Sequence, residues 1–326
     1  MTEAGRGQRP AGGREVTRTW MAAVLCVAAV AGVAAAGGEV DPELGRLVYS
    51  KDSLYHRILV YQSGSIATLR FGVHGPVLLQ SQVDTSDLPR HVQEYSTLAF
   101  CGLLYQPQPA KALVLGLGGG VIPRELRHYY PQMQVDVAEI DPEIPPVAER
   151  YFGFRPDEKL VVHVSDGRMF IKKQLRLSPP PKYDLIVLDA FSGDYIPFHL
   201  MTREFLQEAR GVLAPDGVVV ANVFYNNRLF DAELKTFTDV FPHCQVFFGV
   251  WTTNAMIVAG GANVPVLTAQ DAVARAASLQ AAHEFTFDMR TVASRLRLDV
   301  APEPRAKVLT DDQAPVNSLR WQETVR

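Results

Sequence analysis

Two groups of residues in this 326-residue chain have types and spacing that suit them to chemistry. The first is the cluster Gly116-Leu117-Gly118-Gly119-Gly120. Glycines let a backbone turn tightly and approach a ligand, and free N–H groups where a helix opens attract negative charge. The second is a pair of acids. Glu139 follows the glycines by about 20 residues, where a carboxylate accepts hydrogen bonds from both hydroxyls of a ribose. Asp166, in Ser165-Asp166-Gly167, stands where it can receive the amino group of an adenine. Both acids also have a plainer reading, as turn formers or helix caps. Asp141 and Asp184 read only that way, as a loop cap and a strand-start residue.

For these residues to meet, the elements around them must form an open sheet. Residues 112–116 read as a buried strand, followed by the glycines and a helix through Tyr129. Residues 135–140, 160–164, 183–188 and 218–223 read as further strands, with helices over 142–151 and 202–213. Near-continuous apolar strands alternating with helices predict an α/β fold whose mostly parallel sheet is covered on both faces. Ligands of such sheets bind beyond the carboxyl ends of the strands, where the glycines, Glu139 and Asp166 all fall. Ahead of it, residues 57–61, 66–70 and 77–79 read as short strands punctuated by Gly and Ser, a small antiparallel β module, and 91–104 as a helix. The expected division is a leader over 1–40, the β module and linking helix over 41–108, a Rossmann-like nucleoside-binding domain over 109–298 and an irregular tail over 299–326. An NAD-type domain is the rival reading of the glycines and acids. No histidine stands beside a substrate arginine to relay a hydride, and there is a single βαβ series, so it fits less well.

Composition narrows the function. A formal charge of -3 with scattered basic residues gives no footprint for nucleic acid, which is not expected as a partner. Three cysteines without CxxC spacing build neither a disulfide framework nor a zinc site, and no metal is expected. Arginines at 6, 9, 14 and 18 precede an unbroken apolar run over 20–36 that closes on small residues. That pattern reads as a cleaved signal peptide or as a retained membrane tether, with a misassigned start as the third option. The arginines would place everything after the run outside the cytoplasm, and the chain is cytoplasmic if the leader does not function.

Residues 46–260 resemble the spermidine synthase (polyamine aminopropyltransferase) family. The resemblance lies in Leu79-Gln80-Ser81, Gln93-Glu94, Val114-Leu-Gly-Leu-Gly-Gly-Gly120, Val137-Ala-Glu-Ile-Asp-Pro-Glu143, Asp166-Gly167-Arg168-Met169-Phe170 and Tyr183-Asp-Leu-Ile-Val-Leu-Asp189. It implies a class I fold that uses S-adenosylmethionine (AdoMet) or its decarboxylated form. Gln80, Gly116, Gly118, Gly120, Glu139, Asp166 and Gly167 would hold that co-substrate. Asp189 would accept the proton of the attacking amine, with a solvated strand-end acid as its plainer role. Gln93, Glu94 and Asp194 would touch a small-molecule amine, and the β module would join two chains in a homodimer.

The chain departs from the family pattern in ways that point to a non-standard acceptor. Gly119 stands where the family's glycine loop carries an Asp for the aminopropyl ammonium. The Asp-x-x-Asp motif becomes Asp189-Ala-Phe-Ser192, with the next acid at Asp194, and Val92 replaces a Tyr. Recognition of a diamine needs a buried carboxylate for each buried ammonium. The glycine loop, Asp189-Ala-Phe and Leu309-Thr-Asp-Asp-Gln-Ala-Pro-Val316 resemble a divergent branch whose domains are often attached to membrane segments. Three functions stay open: an aminopropyltransferase-like enzyme, an AdoMet-dependent methyltransferase, and a non-catalytic nucleoside-binding protein. Phe191 and Trp251 are expected to pack in the core rather than wall an acceptor pocket. Asp311 and Asp312 are expected to be solvated caps of a terminal turn rather than acids that close over the site.

Overall fold

The computed structural model describes residues 40–72, 78–191, 196–315 and Leu319. The apolar run at 20–36 and Asp194 lie outside the described residues. Among those described, no helix is long and apolar enough to cross a membrane.

The chain opens with a five-stranded antiparallel sheet in sequence order: β1 (Val40–Asp41), β2 (Gly45–Asp52), β3 (Arg57–Ser63), β4 (Ile66–Phe71) and β5 (Leu78–Asp84). Alternation sorts its side chains. Ile58 and Val60 of β3 join Ala67, Leu69 and Val83 in a core shared with the rest of the chain. Leu59 and Tyr61 point the other way, onto Leu44 and Leu47. The sequence reading missed β1 and β2. In β2 a register shift between Leu47 and Tyr49 breaks the period-2 pattern that would have betrayed it.

The expected helix over 91–104 is two pieces. Helix α1 (Glu94–Leu98) tightens into a 3-10 helix (Ala99–Leu104) pressed against the main sheet. A Cβ at Gly102 would lie 2.6 Å from Val220 and 2.9 Å from Leu185, so only glycine permits that approach.

The main sheet uses β6 (Lys111–Leu115), β7 (Gln134–Glu139), β8 (Leu160–Val164), β9 (Tyr183–Leu188), β10 (Leu213–Phe224), β11 (His243–Phe248), β12 (Asn254–Gly260) and β13 (Leu296–Arg297). Helices α2 (Val121–Tyr129), α3 (Ile144–Tyr151), α4 (Gly167–Leu175), α5 (Arg203–Val212), α6 (Leu229–Val240), α7 (Ala269–Ala282) and α8 (Met289–Ala293) connect and cover them. The strand order is β13-β11-β12-β10-β9-β6-β7-β8. The run β10-β9-β6-β7-β8 is parallel, as expected, and β12, β11 and β13 add an antiparallel flank that was not read from sequence. Strand β6 shows why both faces are apolar: Ala112 and Val114 enter one core, Leu113 and Leu115 the other. The chain runs outward from β6 through β7 to β8, then returns to β9 on β6's other side. The crevice at that reversal lies between the ends of β6 and β9.

Residues 299–315 of the tail form no named helix or strand. Leu309 is buried, its N–H donates to Thr236 Oγ1 at 2.9 Å and its carbonyl accepts from Arg203 at 2.8 Å. Asp311 is exposed, as expected, but it is also tied into the fold. Its two oxygens take the Arg168 guanidinium at 2.7 and 2.8 Å, and Thr202 donates to it at 2.7 Å. Arg168 also grips Glu208 of α5. The guanidinium holds the Asp311 carboxyl down to about 2.

Candidate active site

The glycine loop turns at the end of β6, where Gly116 (φ +94°) passes close against the end of β9: a Cβ there would sit 2.4 Å from the Asp189 carbonyl oxygen. Gly118 and Gly120 also have positive φ. Four of the five N–H groups of the loop are engaged within the protein. Gly116 N–H donates to Ala138 O, Leu117 N–H to Glu139 Oε2 at 2.8 Å, Gly119 N–H to Ser81 Oγ at 3.1 Å and Gly120 N–H to Leu117 O. A pyrophosphate draws on free amides, and these four are already taken. This is a further mark against the dinucleotide reading.

Glu139 ends β7 and is buried, with Oε1 accepting from Asp141 N–H at 2.9 Å and Oε2 from Leu117 N–H. Burial raises its pKa against the pull of those amides. A carboxylate has about four acceptor positions, so these amides leave capacity for a further donor. Asp166 is the helix cap of its plainer reading, and its second oxygen meets a neighbouring side chain. Its Oδ1 caps α4 at Met169 N–H (2.9 Å), while Oδ2 lies 2.8 Å from His199 Nε2. Burial opposes its ionisation, but His199 and the Met169 amide outweigh burial and hold it below the ordinary value. Asp141 is the buried loop cap expected of it, accepting from Glu143 N–H at 3.0 Å. Asp184 accepts from Ala110 and Lys111 N–H, bracing the start of β6.

Asp189 stands where β9 ends, desolvated enough that burial pushes its carboxyl up to about 7. Asn222 donates to its Oδ1 at 2.8 Å and opposes that rise. The Asn222 carbonyl in turn accepts from Asn254 Nδ2 at 2.8 Å, and Thr252 hydrogen-bonds Asn254 Oδ1. A relay from the 252–254 segment through β10 therefore fixes the orientation of the Asp189 carboxylate. Tyr95 lies close enough for Asp189 to raise its pKa, though burial contributes more, and its hydroxyl donates to the Gln80 carbonyl at 2.9 Å.

These side chains line one cavity of about 600 Å³, the size of a nucleoside with a small second molecule. It brings together Gln80, Gly116, Gly118 and Glu139 with Asp166, Gly167 and Asp189, and also Gln93 and Glu94. Gly120 does not line it: it caps α2 and faces Phe154, which a Cβ would meet at 2.5 Å. Glu94 lines it but is occupied, accepting from Val250 and Trp251 N–H and pairing with Arg295 at 3.2 Å. Trp251 corrects the core-packing expectation. It is 86% exposed and stands at the cavity wall, while Phe191 is half-buried, against Phe224 at 5.2 Å. Sequence reasoning missed Asn222, Asn254, Tyr95 and His199. Asn222 carried a signal, as the one polar residue inside the apolar run 218–223. The other three carried none, because partners 15 to 33 residues away define them.

Comparison with known proteins bears directly on this site. Residues 92–257 match the family model for the spermine/spermidine synthase domain. The chain is 36% identical over 279 residues to a polyamine aminopropyltransferase of Vibrio vulnificus, covering 84% of this chain and 91% of the relative. Spermidine synthase from Thermotoga maritima superposes with a TM-score of 0.61 at 22% identity over 78% of this chain and 84% of that one, a likeness of fold. Human methyltransferase-like protein 13, solved with SAH, superposes with a TM-score of 0.54 at 26% identity over 58% of this chain and 92% of that one.

Proposed function

The chain belongs to the spermine/spermidine synthase family of transferases, and from that premise we propose that it moves an aminopropyl group from decarboxylated AdoMet to an amine. The observation that carries this reading is Asp189, an oriented and desolvated carboxylate in the cavity that Glu139 and Asp166 also line. The bound co-substrate supplies a carbon attached to a sulfonium, whose leaving group departs as a neutral thioether. Glu139 accepts from the ribose hydroxyls, Asp166 from the adenine amino group, and Gly116 and Gly118 let the backbone close on the nucleoside. The amine lone pair forms the new C–N bond as the carbon–sulfur bond breaks with its electrons passing to sulfur, and the N–H proton goes to Asp189. A pKa near 7 leaves that carboxylate able to accept a proton at neutral pH. Catalysis here is mainly positioning, since a sulfonium needs no activation.

A second reading, methyl transfer from AdoMet itself, is favoured by the crowding at Gly119. A Cβ there would lie 2.9 Å from both Phe152 and Ser81, so the loop has no room for an acid to hold an aminopropyl ammonium. Calorimetry with methylthioadenosine, AdoMet and decarboxylated AdoMet tests both. Tight methylthioadenosine binding and preference for the decarboxylated compound support aminopropyl transfer. Preference for AdoMet, with transfer of its methyl group, supports the second reading. Absence of binding by all of them defeats both.

A further inference from the structure

We infer that Glu94 is a positioning residue for Asp189, acting through the turn between β11 and β12 rather than on the amine itself. The inference rests on the transfer reading above only in taking Asp189 as the base. Glu94 opens α1, and its carboxylate ties that helix to two other elements. Val250 N–H is shared between its two oxygens, at 3.1 and 2.9 Å, and Trp251 N–H donates to Oε2 at 2.6 Å. Arg295, the residue before β13, pairs with Oε1 at 3.2 Å. These contacts take up the about four acceptor positions of a carboxylate, so Glu94 is spent on the fold.

The tip of the turn has little else to hold it. Val250 and Trp251 expose their side chains, so packing does not fix it. Gly249 closes the turn by donating to the Asn254 carbonyl at 2.9 Å, and a Cβ there would collide with Thr252. The inner end of the turn reaches the base. Tyr225 N–H donates to the Thr253 carbonyl at 3.0 Å, and Thr252 hydrogen-bonds Asn254 Oδ1. Asn254 then donates to Asn222, and Asn222 to Asp189 Oδ1, each at 2.8 Å. Every link is a directional hydrogen bond, so a turn released at its tip tilts Asn222 away from the carboxylate. Burial raises the Asp189 carboxyl and Asn222 opposes that rise. Tyr95 stands beside Asp189 as well, with its hydroxyl turned to the Gln80 carbonyl.

The test needs no acceptor. Ionisation of Asp189 is followed by carbon NMR of the full chain labelled at the aspartate carboxyl carbon, the signal being assigned by its loss in Asp189→Asn. The native carboxyl is expected to titrate near 7. Glu94→Ala is expected to raise that midpoint by about 0.5–1 pH unit, because a loosened Asn222 supports the carboxylate less. Were Glu94 only a neighbouring negative charge, its removal would lower the midpoint instead. In the Asn222→Ala background, Glu94→Ala is expected to move it no further, since both act on one link. Glu94→Gln keeps one acceptor oxygen for the turn and is expected to give a smaller rise, which covers the case in which the alanine variant does not fold. A midpoint unmoved or lowered in each folded Glu94 variant overturns the inference, as does a full additional rise in the Asn222→Ala background. Failure of the native chain to bind methylthioadenosine in a parallel calorimetric titration defeats the transfer reading, and the midpoints still decide the coupling of Glu94 to Asp189.

Discussion

The two halves of the cavity are built on different principles. In the nucleoside half, each acid is tied to backbone amides, Glu139 to Leu117 beyond the end of β6 and to Asp141, and Asp166 to Met169, with His199 on its other oxygen. In the acceptor half, Asp189 is oriented by a relay of side chains, Asn222 from β10 and Asn254 from β12. Backbone amides hold their positions whatever the neighbouring side chains are, so the first half is rigid by construction. The second half is only as fixed as its side chains, and a substitution there changes what it accepts without disturbing the nucleoside. The difference explains how one fold can keep its co-substrate and vary its acceptor.

The largest effect that would test this division is at Asp189. Asp189→Asn is expected to lower kcat by about 10²–10⁴-fold while methylthioadenosine affinity stays within about threefold, because the base acts on the amine alone. Loss of nucleoside binding in that variant would merge the two halves into one. Next comes Glu139→Ala, which removes the ribose acceptor and strands the Leu117 and Asp141 amides. Calorimetry should register a loss of about 100-fold in methylthioadenosine affinity. Gly119→Ala follows: its methyl must displace Ser81 or Phe152, and thermal unfolding should show a loss of about 1–3 kcal/mol. An unchanged melting temperature would mean that the loop does have room for a side chain.

The smallest effect sharpens the comparison most. Asn222→Ala leaves Asp189 as base and is expected to cost about 10-fold or less in kcat. Its signature lies in the pH profile. The carboxylate is the active form, so activity falls as pH drops through about 7. The Asn222 amide favours that ionised form, so removing it moves the acid limb to higher pH. A rate loss with an unmoved limb would mean that Asn222 only packs. The same shift bears on stability. A folded pKa above the ordinary 3.8 means that the native state binds this proton more tightly than the unfolded chain. The Asp189 contribution to stability is therefore greatest at low pH and is lost as pH rises between about 4 and 7.

Legibility in the sequence followed the same division. The parallel strands were plain because burial on both faces makes each an apolar run, and strand 183–188 was read with the bounds it has. The flank of β11, β12 and β13 was not: β11 opens on polar residues, β13 has only two residues, and β12, though apolar over 255–259, pairs antiparallel with β10 outside the strand–helix alternation. Helix 91–104 was half legible: its apolar spacing was real, but its 3-10 second half follows from how Gly102 meets the sheet. The ion pair of Asp311 was not legible because its partner, Arg168, lies 143 residues away.

What the sequence determined alone was the order of strands, glycines and acids, and with it the place where a nucleoside can sit. Those features depend on contacts a few residues apart or on the regular return of one strand beside the next, and such contacts leave a period or a spacing in the chain. Tertiary structure decided the rest: that four of the loop amides are engaged within the protein, that Glu94 is occupied, and that Asp189 is oriented by Asn222 in a cavity that Phe191 and Phe224 also line. Those properties depend on which distant side chain arrives at a given atom and how much water it displaces, and neither is written in local spacing.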